Sequence, residues 1–231
     1  MKTIGLLGGM SWESSQSYYR LLNEGIKRRL GGLHSARVIL YSVDFAEIEA
    51  LQHQGDWEST ANILAEAARS TEAAGADFLM IGTNTMHKVA PEIAETINIP
   101  LLHIADATAE ALQNDGVNRV GLLGTRFTME QAFYRSRLEQ AGIEVLVPNE
   151  AERNDIHRII YEELCRGQVL PGSRDNYLAT IDSLSHRGAQ AVILGCTEIG
   201  LLVRPSDTSV PLYDTTEIHA DAAVRLALGE I

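Results

Sequence analysis

Two stretches of this chain repeat one another. Residues 75–85 read GADFLMIGTNT, and residues 188–198 read GAQAVILGCTE. Gly-Ala, a mostly apolar run and Gly recur in step, and then Cys196 stands where the first copy has Thr83. A second pair keeps almost the same offset: IGLLGG starting at Ile4 and VGLLGT starting at Val120. A duplication of this kind restricts the fold to two similar halves. It also sets one reactive side chain at matched positions, an alcohol in one half and a thiol in the other.

Short apolar runs alternate with longer stretches at helical spacing. TIGLLGG, RVILYSVD, DFLMIGT and PLLHIAD are predicted strands of the first half, and RVGLLGT, IEVLVP and AVILGC of the second. SSQSYYRLLNEGIKRRL is a predicted helix, as are residues 60–74, 91–97, 129–140, 155–165, 176–187 and 217–228. Gly75 and Gly142 serve as stops. This alternation calls for parallel sheets covered on both faces, so the expected class is α/β with two doubly wound halves. The expected boundaries put residues 1–105 plus 212–231 in the first half, with the closing helix returning to it, and 106–211 in the second.

A chain of 231 residues can bury a sizeable core. Its formal net charge of −12 argues against a nucleic-acid partner, which requires a basic surface. A small anionic substrate is compatible with that charge, because local donors outweigh a global balance. No apolar run is long enough to span a membrane, and the first ten residues do not form a secretory signal. Two cysteines do not make a disulfide framework. The expected location is the cytoplasm.

In open parallel sheets, ligands bind beyond the carboxyl ends of the strands. Four loops leave such ends: Gly8-Gly9-Met10-Ser11, Gly82-Thr83-Asn84-Thr85, Gly124-Thr125-Arg126-Phe127-Thr128 and Gly195-Cys196-Thr197-Glu198. Glycine lets backbone approach a ligand closely, and the following amides can cradle an anion. Hydroxyls of Thr85, Thr125, Thr128 and Thr197 add donors. The set suits a small acid with more than one carboxylate. GLLGGMS lacks the third spaced glycine of a dinucleotide fingerprint, Asp44 matches its acidic residue only loosely, and no Gly-Lys-Ser/Thr of a P-loop occurs. Any one glycine turn alone reads as a tight connection; four with polar tips, in a repeat, read as a site.

Cys196 is the sharpest candidate. A free thiol titrates near ~8.5, and donors at a strand end or helix start can lower that value. The competing reading, a buried small hydrophobe, fits poorly with the polar Thr197 and Glu198 beside it. Cys165, in the apolar stretch IIYEELC, reads as structural, with a redox partnership to Cys196 as its other reading. His87 reads equally as a proton relay or ligand and as a packed, hydrogen-bonded residue. His53 and His157 read as solvent-facing. No histidine pair has metal-ligand spacing, and no metal is expected. Nor does a nucleophile-elbow signature accompany Cys196. Met80, Met86, Tyr18 and Tyr19 read as core and interface residues.

With these residues assembled, the chain resembles the aspartate/glutamate racemase family, which works without pyridoxal phosphate. The matching elements are GLLGGMSWESS, GTNTMH, GLLGT-x-x-T and GCTE, in order and across almost the whole chain. The resemblance implies two Rossmann-like halves related by pseudo-twofold symmetry, a homodimer, no cofactor, and an active site in the cleft between halves. It implies a mechanism in which one thiolate removes the substrate's α-proton and a second thiol protonates the opposite face. The second-half cysteine maps onto Cys196 and the first-half cysteine onto Thr83, where this chain departs from the pattern. An alcohol holds a conjugate-base charge far less readily than a thiol. Carried over, this implies that Cys196 deprotonates the L-enantiomer competently, while Thr83, or a water it holds, reprotonates slowly. The substrate contacts implied are Met10 (through its backbone amide), Gln52, Asn84, Thr85, Thr125, Thr128 and Thr197. The partner of the side-chain carboxylate has no clear match; Arg166 and Lys88 are the basic residues on offer.

Two other readings stand beside a racemase of acidic amino acids. One is a single-thiol decarboxylase or isomerase of the same superfamily, in which Cys196 protonates a planar carbanion and no opposing base is needed. The other is a non-catalytic protein that binds an acidic metabolite after losing one catalytic thiol.

Overall fold

The structure, a computed structural model, describes residues 1–231. The strands are β1 (Ile4–Gly8), β2 (Val38–Ser42), β3 (Phe78–Ile81), β4 (Leu101–Leu102), β5 (Arg119–Gly124), β6 (Glu144–Leu146), β7 (Ala191–Gly195) and β8 (Leu212–Asp214). The α-helices are α1 (Trp12–Leu30), α2 (Phe45–Gln54), α3 (Trp57–Ala73), α4 (Ala90–Ala94), α5 (Ile104–Asn114), α6 (Arg126–Glu130), α7 (Ala132–Gln140), α8 (Glu150–Glu162), α9 (Pro171–His186), α10 (Ile199–Leu202) and α11 (Thr215–Leu228). Short 3-10 turns cover Thr85–Val89, Leu164–Arg166 and Pro205–Asp207.

The strands form two four-stranded sheets, ordered β2-β1-β3-β4 and β6-β5-β7-β8, with every pairing parallel. The two orders correspond strand for strand, so the repeated segments fall on equivalent elements. IGLLGG and VGLLGT are β1 and β5; GADFLMIGTNT and GAQAVILGCTE contain β3 and β7. The fold is therefore α/β, built as two similar units.

In the first unit the two faces of the sheet carry separate cores. Leu7, Leu79 and Ile81 pack with Leu64, Ala68, Met86 and Ile93 from α3 and the segment after β3. Ile4, Leu6, Phe78 and Met80 pack on the other side with Tyr18, Leu22 and Ile26 of α1 and Ala223 and Val224 of α11. This period-two division is what a parallel strand with helices on both sides requires. Met80, Met86 and Tyr18 are core residues as expected, whereas Tyr19 is 54% exposed.

The glycine inside each repeat has a packing reason. A Cβ on Gly5 would lie 2.7 Å from Thr71 Cγ2 of α3, and one on Gly121 would lie 2.8 Å from Leu184 Cδ1 of α9. Each glycine lets a crossing helix settle directly onto its central strand.

Contacts divide the chain into Met1–Ile104 with His219–Ile231, and Ala105–Ile218. Leu212–Asp214, expected in the first half, pairs with β7 and so belongs to the second sheet, and the later division falls inside α11.

Three local expectations need correction. PLLHIAD contributes only Leu101–Leu102 to the sheet, and α5 begins at Ile104, whose N–H is taken by a histidine ring instead of the ladder. The helix expected over 129–140 is interrupted at Gln131, whose backbone is extended (φ −88°, ψ 152°). Helix α2 was not anticipated; Asp44, read as the end of a strand, caps it by accepting from the Ala46 N–H.

Candidate active site

Every candidate loop leaves the carboxyl end of a central strand. In the first unit, β1 runs into Gly9, whose positive φ of 92° turns the chain, and a Cβ there would strike the backbone of Val43. The turn is held by Gly9 N–H donating to Ser15 Oγ (2.7 Å) while Ser15 Oγ donates to the Ser11 carbonyl (3.0 Å). Ser11 caps α1 by accepting from the Ser14 N–H. Met10 sits buried in this loop, and Gln52 is buried on α2.

β3 ends at Gly82-Thr83-Asn84-Thr85. Asn84 and Thr85 are buried and Thr83 is half-buried. His87, in the 3-10 turn that follows, is buried and committed at both ring nitrogens. Nδ1 donates to the Thr83 carbonyl (2.8 Å), and Nε2 accepts from the Ile104 N–H (3.2 Å). Of the two readings weighed for His87, the packed, hydrogen-bonded one holds. The Lys88 ammonium sits 3.8 Å from the centroid of the Trp57 ring, and burial lowers its pKa. Arg166 is exposed on a 3-10 turn of the second unit.

In the second unit, Thr125 caps α6, accepting from Thr128 N–H (3.3 Å), and the two threonine hydroxyls lie 3.2 Å apart. Thr128 is fully buried beneath Gly124 and Gly195, the last residues of β5 and β7. His157, expected at the surface, is half-buried: its Nδ1 accepts from the Arg126 N–H (3.2 Å), and its ring packs on Phe127 and Tyr161. It was misread because Arg126 and Phe127 lie on a different element of the fold, α6.

Beyond β7, Cys196 Sγ donates to Glu198 Oε2 (2.9 Å), and Thr197 Oγ1 donates to the same oxygen (2.8 Å). Glu198 is buried. The expectation that this position lowers the thiol pKa is overturned. Burial first, then the Glu198 carboxylate and the neighbouring Cys165, push Cys196 well above the ordinary thiol range. The resting state is a thiol hydrogen-bonded to a carboxylate. The sequence reading missed Glu198 as a working group, although its place two residues after Cys196 was the available signal. Cys165 lies near enough to contribute to that shift, and both cysteines are free thiols.

No group of three or more His, Cys, Asp or Glu side chains is arranged to hold a metal ion, and no helix is long and apolar enough to cross a membrane. The arrangement offers a half-buried thiol hydrogen-bonded to a buried carboxylate at the end of one central strand, and an alcohol at the equivalent end in the other unit. Such a pair can exchange a proton with a carbon acid; backbone amides and threonine hydroxyls nearby can hold carboxylates.

Known proteins share this fold. The family model for Asp/Glu/hydantoin racemases matches residues 7–223. A crystal structure from Yersinia pestis, provisionally described as an Asp/Glu racemase, is 56% identical over 99% of this chain and 100% of its own, with a TM-score of 0.92. An aspartate racemase homologue from Pyrococcus horikoshii is 37% identical over 99% of this chain and 100% of its own, with a TM-score of 0.85. The broad specificity amino-acid racemase RacX of Bacillus subtilis is 21% identical over 238 residues, covering 98% of both chains. The chain belongs to the Asp/Glu/hydantoin racemase family of enzymes.

Proposed function

We propose that this chain is a cofactor-independent racemase of acidic amino acids that preferentially deprotonates L-aspartate or L-glutamate. The observation that carries this reading is the Cys196–Glu198 hydrogen bond at the end of β7, at the position equivalent to Thr83 after β3. The likeness to an aspartate racemase homologue supports the substrate class.

In this mechanism the Cys196 Sγ proton passes to Glu198 Oε2, leaving a thiolate beside a neutral carboxyl. The thiolate then takes the α-proton of the L-substrate. The negative charge left on the α-carbon spreads into the substrate carboxylate, whose oxygens accept from Asn84, Thr85 and Thr125, while the Thr197 hydroxyl stays committed to Glu198 Oε2. A proton returns to the carbon either from Cys196, with retention, or from the Thr83 hydroxyl or a water it holds, with inversion. In the second case the proton left on Glu198 returns through solvent to the deprotonated Thr83 oxygen or water, restoring the resting state. A thiolate in a buried site is a strong base once formed, which suits a weakly acidic carbon. Formation is the difficult part, and an adjacent acceptor addresses it. Thr83 has no comparable partner chemistry, so the L-side step is the faster one. The equilibrium between enantiomers is unaffected.

Solvent deuterium exchange tests the reading. Incubation in D2O should place deuterium at the α-carbon of L-aspartate or L-glutamate faster than the D-enantiomer accumulates. Exchange into neither amino acid at saturation, or full activity in Cys196→Ala, would overturn it.

A further inference from the structure

We infer that His87 is a positioning residue for the reaction: its imidazole, locked in one neutral tautomer, fixes the peptide of Thr83 and so aims the Thr83 side chain. This rests on the reading of Thr83 as the group at which inversion occurs.

The tautomer follows from the partners. The Thr83 carbonyl can only accept, so Nδ1 carries the hydrogen; the Ile104 N–H can only donate, so Nε2 presents a lone pair. A proton on Nε2 would face the Ile104 N–H, and the opposite tautomer would lose both bonds. The ring is 1% exposed and lies edge-on to His103 (centroids 4.4 Å) and His219 (5.8 Å), so water cannot replace either partner. His219 is itself fixed: Nε2 donates to the Leu102 carbonyl (2.9 Å), and Nδ1 accepts from the Tyr18 hydroxyl (3.0 Å).

The clamp therefore joins the loop after β3 to the start of α5, just beyond β4. Its effect on Thr83 is geometric. Holding the carbonyl fixes ψ of Thr83, and a β-branched side chain has few rotamers for a given backbone. The hydroxyl is placed without a ring nitrogen ever meeting substrate. His87 thus serves the reaction without relaying a proton.

Two variants separate this role from general support of the fold. His87→Asn keeps an N–H near the position of Nδ1, whereas His87→Gln retains an acceptor near Nε2 and loses the donor to Thr83. The readout, taken in D2O from the L-substrate, is the ratio of inversion (D-product) to exchange with retention. His87→Gln should lower that ratio by about tenfold, as expected when a reacting group loses its alignment. His87→Asn should keep it within about threefold of the wild type. An equal fall of both rates in both variants, or an unchanged ratio in His87→Gln, overturns the inference. Nitrogen-15 spectra of the wild-type histidines give a check independent of variant folding. His87 should show a protonated Nδ1 and a bare Nε2 between pH 6 and 8; an Nε2–H or charged ring would refute the clamp. Absence of any exchange in the wild type would instead refute the functional reading, leaving the spectra to decide the tautomer.

Discussion

The Sγ of Cys196 lies 2.9 Å from Oε2 of Glu198, and the same carboxylate raises the thiol's pKa while offering the thiol's proton a destination. On the proposed mechanism, these effects oppose one another in the resting state and cooperate during turnover. Near a negative charge and out of water, the thiolate is costly to form; with the proton held by Glu198, that charge is neutralised.

Replacing Glu198 with Gln separates the two effects. The Coulombic contribution disappears, so the midpoint for alkylation of Cys196 by iodoacetamide should move down in pH. In the wild type it should lie above the ordinary value of ~8.5. Thiolate forms as pH rises, so alkylation increases with pH in both proteins, and only its position changes. Exchange from the L-substrate should nevertheless fall by about 10²–10⁴-fold, the usual worth of a positioned proton acceptor. Site-resolved mass spectrometry distinguishes Cys196 from Cys165. An unchanged midpoint would show that the carboxylate is not a cause of the shift.

His219 makes acid stability measurable. Burial lowers its pKa to about 4, whereas the unfolded chain titrates it near ~6.5. Between those values the unfolded state binds the extra proton, so stability is fully present above ~6.5 and is lost as pH falls towards 4. The loss from this group is about 3 kcal/mol. His219→Gln keeps a donor for the Leu102 carbonyl and removes the titration. Urea unfolding at several pH values between 4 and 7 should give a flatter profile for the variant; identical slopes would exclude His219 as the source.

The two repeat glycines predict unequal costs. At Gly5 an added methyl meets Thr71 Cγ2 at 2.7 Å, Ala76 Cβ at 3.0 Å and the Phe78 carbonyl at 3.1 Å, two of which have little freedom to move. Gly5→Ala should destabilise by about 1–3 kcal/mol through overpacking. At Gly121 the nearest atom, Leu184 Cδ1 at 2.8 Å, ends a side chain that can change rotamer, and the next two, Val192 Cγ2 at 3.1 Å and Leu184 Cβ at 3.2 Å, are side-chain atoms with no backbone atom among them. Its alanine variant should lose less, and chemical denaturation of the two proteins would expose an inverted order.

The repeat carried most of the architecture, because strand, glycine and loop recur together at β1 with β5 and at β3 with β7. What stayed hidden was tertiary in origin. Leu212–Asp214 joins the second sheet only because β7 is its neighbour, and beyond β4 the Ile104 N–H goes to the His87 ring instead of the ladder. Cys196 and Thr83 could be placed just beyond strand ends from the sequence, but the direction of the thiol's pKa could not. It depends on burial and on the rotamer that brings Glu198 back to Sγ, and neither is written in local spacing. His87 and His157 were ambiguous or misread for the same reason, since each is defined by a backbone N–H from another element.

Thr83→Cys addresses the asymmetry directly. The substitution adds no bulk, and the loop's backbone is held by His87 through the Thr83 carbonyl, a contact any side chain at this position retains. A thiol there can hold the conjugate-base charge that an alcohol cannot, so the greatest gain is expected where the D-enantiomer is deprotonated. Exchange of the D-substrate's α-proton should rise by about 10²-fold or more, with a smaller gain in exchange from the L-substrate, where the proposed base Cys196 is unchanged. The kcat/KM for racemisation itself must rise equally in both directions. Because the new thiol has no counterpart of Glu198, its activity should follow the ordinary thiol titration, increasing with pH towards ~8.5. Deuterium incorporation at the α-carbon of each enantiomer in D2O gives the comparison. Equal gains in exchange from both enantiomers would place the limiting step elsewhere, and no gain would return Thr83 to the role of a spacer.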